Sequence, residues 1–84
     1  MNQVTVRYFA AAQAAAGLKE EVVDLPDGGT VAELLDRVRS RHGERLSRVL
    51  ARCSFLLDAA AVHDPLIVAG PRATLDILPP FAGG

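Results

Sequence analysis

Apolar positions recur along this chain at two different periods, and the changes of period divide it into elements. Val4, Val6 and Tyr8 alternate with Thr5, Arg7 and Phe9, the period of two that turns one side of a strand toward a core. Ala10 to Ala16 is nearly pure alanine and intrinsically helical, with Gly17 as its stop. So short a helix needs packing against a sheet to persist. Glu20 to Leu25, carrying Val22, Val23 and Leu25, predicts a second strand paired with the first as a wide hairpin. Pro26-Asp27-Gly28-Gly29 then reads as a loop on turn chemistry.

Thr30 opens the main helix. With Glu33 it makes a capping-box pattern, and Val31, Leu34, Leu35 and Val38 form one apolar face at i, i+3, i+4 and i+7. Gly43 ends this helix near His42, and Leu46, Val49 and Leu50 predict another helical turn or two over Glu44 to Ala51. Ser54-Phe55-Leu56-Leu57 predicts a third strand, and Asp58 to Val62 a turn with a short return strand, broken at His63-Asp64-Pro65-Leu66. Val68 to Arg72 is a loop, and Thr74 to Leu78 closes the chain as a last strand. A strand hairpinned to a second, a helix crossing one face, then returning strands is the β-grasp plan. The expected fold is therefore α+β, a mixed sheet of about five strands with one main helix and short extra helices. In that plan the last strand sits centrally beside the first, and whatever follows Leu78 projects from a rigid base.

Length and charge narrow the function classes. Eighty-four residues make one domain, 1–84, too small to enclose a deep catalytic pocket comfortably, so a carrier, adaptor or subunit is expected. The net charge of −1 gives no global pull toward nucleic acid or membrane. No run is long enough for a membrane span. The chain opens directly as a strand without a basic leader, and the single Cys53 cannot form an internal disulfide; both fit a reducing cytoplasm.

The chemistry is concentrated at the end. After Leu78 come Pro79, Pro80, Phe81, Ala82, Gly83 and Gly84, read as a flexible tail. The prolines cannot donate to a ladder, so they terminate the strand and stiffen the exit. Gly83 and Gly84 lack Cβ and can thread a narrow channel, leaving the α-carboxylate as the tail's reactive group. A disordered small-residue terminus is the plain alternative.

The ending Leu75-Asp76-Ile77-Leu78-Pro79-Pro80-Phe81-Ala82-Gly83-Gly84 is similar to that of the β-grasp sulfur carriers, the MoaD/ThiS family related to ubiquitin, and within it to molybdopterin synthase small subunits. The opening Val4 to Ala10 with its alanine-rich helix, and Thr30 to Leu35, share the resemblance, which covers the whole chain. Two features depart from the family's pattern. Asp58 is followed by Ala59 where Asn-Gly or Asp-Gly is common, and the loop before the last strand is the longer Val68 to Ala73. The resemblance implies that an E1-like partner uses ATP to adenylate Gly84 and that sulfur then replaces the adenylate as a thiocarboxylate. The tail, through Pro80, Phe81, Ala82 and Gly83, would enter the large subunit of molybdopterin synthase, which builds the dithiolene. Catalytic acids and bases would belong to the partners, and no cofactor or metal would be bound. Alternatives are a carrier for thiamine, tungsten-cofactor or thioamino-acid synthesis, a ubiquitin-like modifier joined through Gly84 to lysines, and an interaction module without terminal chemistry.

Other candidates are weaker. His42 and His63 have no ligand partners at a repeating metal spacing, and Asp64 beside His63 reads as a turn feature. Cys53 reads as a small core residue. Arg37, Arg39, Arg41, Arg45, Arg48 and Arg52 crowd one window, the last four at helical spacing, without the interleaved aromatics of a nucleic-acid footprint. They read as a solvated face, paired locally with Asp36 and Glu44; docking of an acidic partner is the alternative. Phe81 lies too near the end to reach the core comfortably, so it is expected to pack into a partner, or else to fold back over Tyr8 or Phe9.

Overall fold

A computed structural model describes residues 1–80. The elements follow in the order β1 (Asn2–Tyr8), α1 (Ala10–Ala16), β2 (Glu20–Leu25), α2 (Val31–His42), α3 (Glu44–Leu50), β3 (Ser54–Leu57), β4 (Ala60–Ala61) and β5 (Thr74–Leu78). The strands form one mixed sheet in the order β2-β1-β5-β3-β4, the β-grasp arrangement expected from the pattern. Only the β1·β5 pair is parallel, with Val6 opposite Leu75 and Tyr8 opposite Ile77; β1·β2, β3·β4 and β3·β5 are antiparallel.

The registers align the alternating residues. Val4 and Val23, Val6 and Leu75, and Tyr8 and Ile77 all turn to one face, where each is buried. Val31, Leu34, Leu35 and Val38 of α2, Leu46 and Leu50 of α3 and Ala12 of α1 close over them as one core. The i, i+3, i+4, i+7 stripe thus faces the sheet, as its spacing predicts.

The N-terminus of α2 is held more fully than its capping motif requires. Thr30 Oγ1 accepts from the Glu33 N–H at 3.2 Å, half of the expected box. The Val31 and Ala32 N–H groups donate to the carbonyls of Ile67 (3.0 Å) and Pro65 (2.8 Å), so the loop before β5 satisfies donors that a helix start would otherwise leave open. Gly29 at this junction packs tightly: a Cβ there would lie 2.5 Å from Leu25 Cγ, so any larger residue would displace the core leucine.

The far end of α2 is tied down by a carboxylate. Glu21 sits in phase with Val23 and Leu25, on the core face, at the sheet's margin. It accepts from Tyr8 Oη at 2.5 Å and Arg41 Nη1 at 2.8 Å, and it meets His42 Nε2. His42 also stands edge-on to Tyr8, with ring centroids 5.7 Å apart. Burial alone would raise the Glu21 pKa, but the hydrogen bonds from Tyr8, Arg41 and His42 outweigh it and hold the carboxyl below its ordinary value. Burial, reinforced by the bond to Glu21, pushes the Tyr8 phenol up.

The β3–β4 hairpin turns on two residues, Asp58 and Ala59, since Leu57 pairs with Ala60. Both lie in left-handed backbone, φ 47° and 69°, the combination a tight primed turn demands and Asn-Gly or Asp-Gly supplies without strain. Neither turn position is glycine, yet the turn is kept. Asp58 explains how: its N–H donates to Thr74 O at 2.9 Å, and its Oδ1 accepts from Thr74 N–H at 2.9 Å.

Three outcomes follow. Leu34 is fully buried, so Leu34→Ala should cost about 2–5 kcal/mol in denaturant unfolding. Ala59→Gly should raise stability by about 0.5–1 kcal/mol, because relief of about 1–2 kcal/mol of left-handed strain exceeds the added chain entropy of about 0.4–1 kcal/mol; a lower thermal midpoint would contradict the turn. Glu21→Gln should cost about 1.5–3 kcal/mol at neutral pH. A carboxylate with a lowered folded pKa stabilises fully above its ordinary value of 4.5 and loses that contribution as pH falls through the folded one. The gap between wild type and Glu21→Gln should therefore narrow below pH 4.5, read from denaturant midpoints across an acid series.

Candidate functional site

The candidate site is built on the end of β5. This strand has a neighbour on each edge, and its entry is fixed by the Asp58 bracket and by the Thr5 N–H donating to Ala73 O at 2.9 Å. Near its exit the Phe9 N–H donates to Ile77 O at 3.3 Å, and Leu78 pairs with Ser54 of β3. Pro79 is half-buried and Pro80 exposed. Because proline offers no N–H, the ladder stops here and the chain leaves the sheet from its centre. Of the tail residues expected to act, Pro80 stands at this exit; Phe81, Ala82, Gly83 and Gly84 lie outside the described residues.

Two surfaces flank the exit. On the sheet's open face Arg7 and Asp76, direct partners in the parallel register, form a forked pair. Arg7 Nε donates to Oδ1 at 2.6 Å and Nη2 to Oδ2 at 2.9 Å, the bidentate geometry that makes such pairs strong. Asp76 is buried at 7% exposure, and the Arg7 guanidinium lies 5.7 Å from the Phe9 ring centre. On the helical side Pro79 and Pro80 line a groove of about 600 Å³ with Ala11, Val49, Arg48 and Arg52. Between these surfaces the chain turns from β1 into α1 through Ala10, at a left-handed φ of 50°, a strained conformation for a residue with a Cβ.

Cys53 is half-buried, short of the full burial expected of a core residue. Its Sγ donates to Val49 O at 3.2 Å, and burial pushes the thiol pKa up, the opposite of activation. His42 belongs to the Glu21 cluster, and Asp64 beside His63 caps a turn, its Oδ1 accepting from Leu66 N–H at 2.9 Å. Among the described residues no three His, Cys, Asp or Glu side chains gather as metal ligands.

The arginines divide. Arg39 pairs with Asp36 at 3.1 Å and Arg48 with Glu44 at 2.9 Å, as their spacing predicts. Arg41 instead reaches across to Glu21. It does not share a helix with Arg45, Arg48 and Arg52, because Gly43, at φ 85°, separates α2 from α3 and Arg52 lies beyond the end of α3; helical spacing ran through a break. The Arg7–Asp76 pair was not foreseen from the sequence. Its signal was one acidic residue inside an apolar strand, Leu75-Asp76-Ile77-Leu78. Naming the partner required the parallel register.

Comparison with known proteins agrees with this geometry. The molybdopterin synthase sulfur carrier subunit of Chlamydomonas reinhardtii is 32% identical over 90 residues, covering 98% of this chain and 99% of that protein. Among solved structures, SAMP1 (small archaeal modifier protein 1) from Haloferax volcanii superposes with a TM-score of 0.88 at 24% identity, over 99% of this chain and 100% of that one. A complex of subunits 1 and 2 of molybdopterin-converting factor from Helicobacter pylori gives a TM-score of 0.69 at 22% identity, over 98% and 99%. At these identities the structural likenesses establish the ubiquitin-like β-grasp fold. The ThiS family model matches residues 6–84, from β1 through the double glycine, and the chain belongs to the ThiS family.

Proposed function

We propose that this chain is the sulfur carrier of molybdopterin synthase, its small subunit, and that Gly84 carries the sulfur. The observation that supports this most directly is the family match running through Gly83 and Gly84, on a chain that leaves the sheet at its central strand. A carboxylate is a poor acyl donor, since an oxide-like leaving group must depart. In this reading the Gly84 carboxylate attacks the α-phosphorus of ATP on an E1-like partner, pyrophosphate leaves, and an acyl-adenylate forms. A sulfur nucleophile at the oxidation level of sulfide then displaces AMP, leaving the thiocarboxylate. Gly83 lets the tail thread each partner's channel, and Phe81 with Ala82 and Pro80 seats it in the large subunit. Consumption of ATP and the unpaired Cys53 suit a reducing cytoplasm.

A second reading has its own support in the likeness to SAMP1: a modifier whose Gly84 is joined to lysines of other proteins. Intact mass of the chain purified from its own cells separates the two. Exchange of one oxygen for sulfur marks the carrier, and isopeptide-linked conjugates mark the modifier.

Deleting Gly84 should leave the thermal midpoint unchanged and abolish sulfur transfer, because the new carboxylate falls about 3.5 Å short in both partners. A misplacement on the order of 1 Å can already cost a hundredfold in rate. The assay combines the activating enzyme, ATP, a sulfur donor and the large subunit, scored by thiocarboxylate mass and by molybdopterin formed. Full activity of the deletion would overturn the carrier reading.

A further inference from the structure

Basic residues are concentrated in one stretch of this chain: although Arg39 and Arg41 pair with Asp36 and Glu21, residues 37–52 hold six of its nine basic residues and one of its ten acidic ones. Two of those arginines, Arg48 and Arg52, rim the groove whose apolar wall is Ala11, Val49, Pro79 and Pro80. The Arg48 side chain is 78% exposed and its one carboxylate partner, Glu44, 79% exposed. A pair so open to water contributes little and is readily exchanged. Arg52 is exposed and makes no ion pair among the described residues. The groove thus offers planar, weakly hydrated cations around an apolar floor, and guanidinium groups match carboxylates in two-bond geometry.

From this geometry we propose that the groove is a docking site for an acidic segment of a partner protein, one with an apolar side chain set between carboxylates. The apolar side chain lies against Val49 and the prolines, and the flanking carboxylates meet Arg48 and Arg52. Because Pro79 and Pro80 form one wall, a segment seated there holds the root of the tail and fixes the direction in which it leaves. The proposal rests on the carrier reading only for the identity of that partner: the activating enzyme or the large subunit must orient a tail whose reacting atom lies four residues beyond Pro80. Attraction between Arg48, Arg52 and an acidic partner also speeds encounter.

The test uses the full chain and an end-blocked peptide, Asp-Glu-Leu-Phe-Glu-Asp, followed by backbone NMR shifts and calorimetry at low and high salt. Saturable binding is expected, with shifts around Ala11 and residues 48–52. Arg48→Gln/Arg52→Gln should weaken it about tenfold without moving the thermal midpoint. Arg37→Gln/Arg72→Gln, two exposed arginines away from the groove, should leave it within about twofold, and the peptide's Asn/Gln analogue should not bind. Absence of saturable binding, equal losses in both double variants, or tighter binding of a uridine hexamer would overturn the proposal. So would a self-association that occupies the same residues. With the activating enzyme, Arg48→Gln/Arg52→Gln should raise the KM for the carrier about tenfold and lower kcat with it, because the direction of the tail is lost together with the contact. A wild-type chain that never acquires sulfur tells against the carrier reading, while the peptide result still decides the groove.

Discussion

The parallel pairing of β1 with β5 is the constraint from which the rest of this structure follows. Parallel neighbours cannot be joined by a tight turn, so the chain between them must cross a face of the sheet. Here that crossing carries α2 and α3, which bury the face on which Val4, Val6, Tyr8, Leu75 and Ile77 converge. With β1 and β5 side by side, β2 can pair only outside β1, and β3 with β4 only outside β5. The last strand is thereby enclosed on both edges although it is the last to be made. A strand in that position has a partner on each edge, and its pairing with β3 runs to Leu78, the residue before Pro79.

Two carboxylates stabilise this arrangement from opposite faces, and both illustrate the cost of a buried charge. Asp76, on the open face, is covered by the Arg7 fork that crosses the parallel seam itself. Glu21, on the core face, is surrounded by Tyr8, Arg41 and His42 and so ties β1, β2 and the end of α2 together. Each would be strongly unfavourable alone, because desolvation of an unpaired carboxylate exceeds what packing returns. Each is acceptable because the donors come from a different element than the acceptor. The same bonds that compensate the charge therefore fix how the elements meet, and neither could be exchanged for an isolated hydrophobic contact without loosening that relation.

The elements were legible because each follows from a local rule. The alternation at Val4, Val6 and Tyr8, the Thr30–Glu33 cap and the Val31–Val38 stripe all depend on residues close in sequence; the alternation and the stripe appear as expected, and the cap appears as its Thr30 half. What failed to show was whatever required a distant partner. Asp76 and Glu21 were visible as polar residues in apolar strands, yet Arg7 lies 69 positions from Asp76, and Arg41 and His42 lie 20 and 21 from Glu21. The arginine series misled for the opposite reason: helical spacing from Arg41 to Arg52 is a sequence regularity that the backbone breaks at Gly43. The strained Ala59 turn marks a third limit, since its stabilising partner is the first residue of a strand sixteen positions away. The roles of the tail residues were read from the chemistry of proline, glycine and a carboxylate together with the family resemblance.

On the proposed carrier reading, a rigid domain suits a protein whose own chemistry would be confined to a carboxylate. Acyl activation and sulfur transfer would need nucleotide binding, acid–base groups and exclusion of water, which the proposed reading assigns to the partners. What such a chain can supply is position. In the proposed reading Gly84 is placed from the end of β5, and Pro79 and Pro80 restrict the backbone beyond its last ladder bond. The two surfaces at that root differ in character: an open sheet face with its arginine already engaged by Asp76, and a groove whose arginines face water. Charges already committed within the fold can shape a surface but add little new attraction, whereas Arg52 makes no ion pair among the described residues and the water-exposed Arg48–Glu44 pair is readily exchanged. If one side of the tail's root discriminates among partners by charge, the physical chemistry favours the side carrying Arg48 and Arg52.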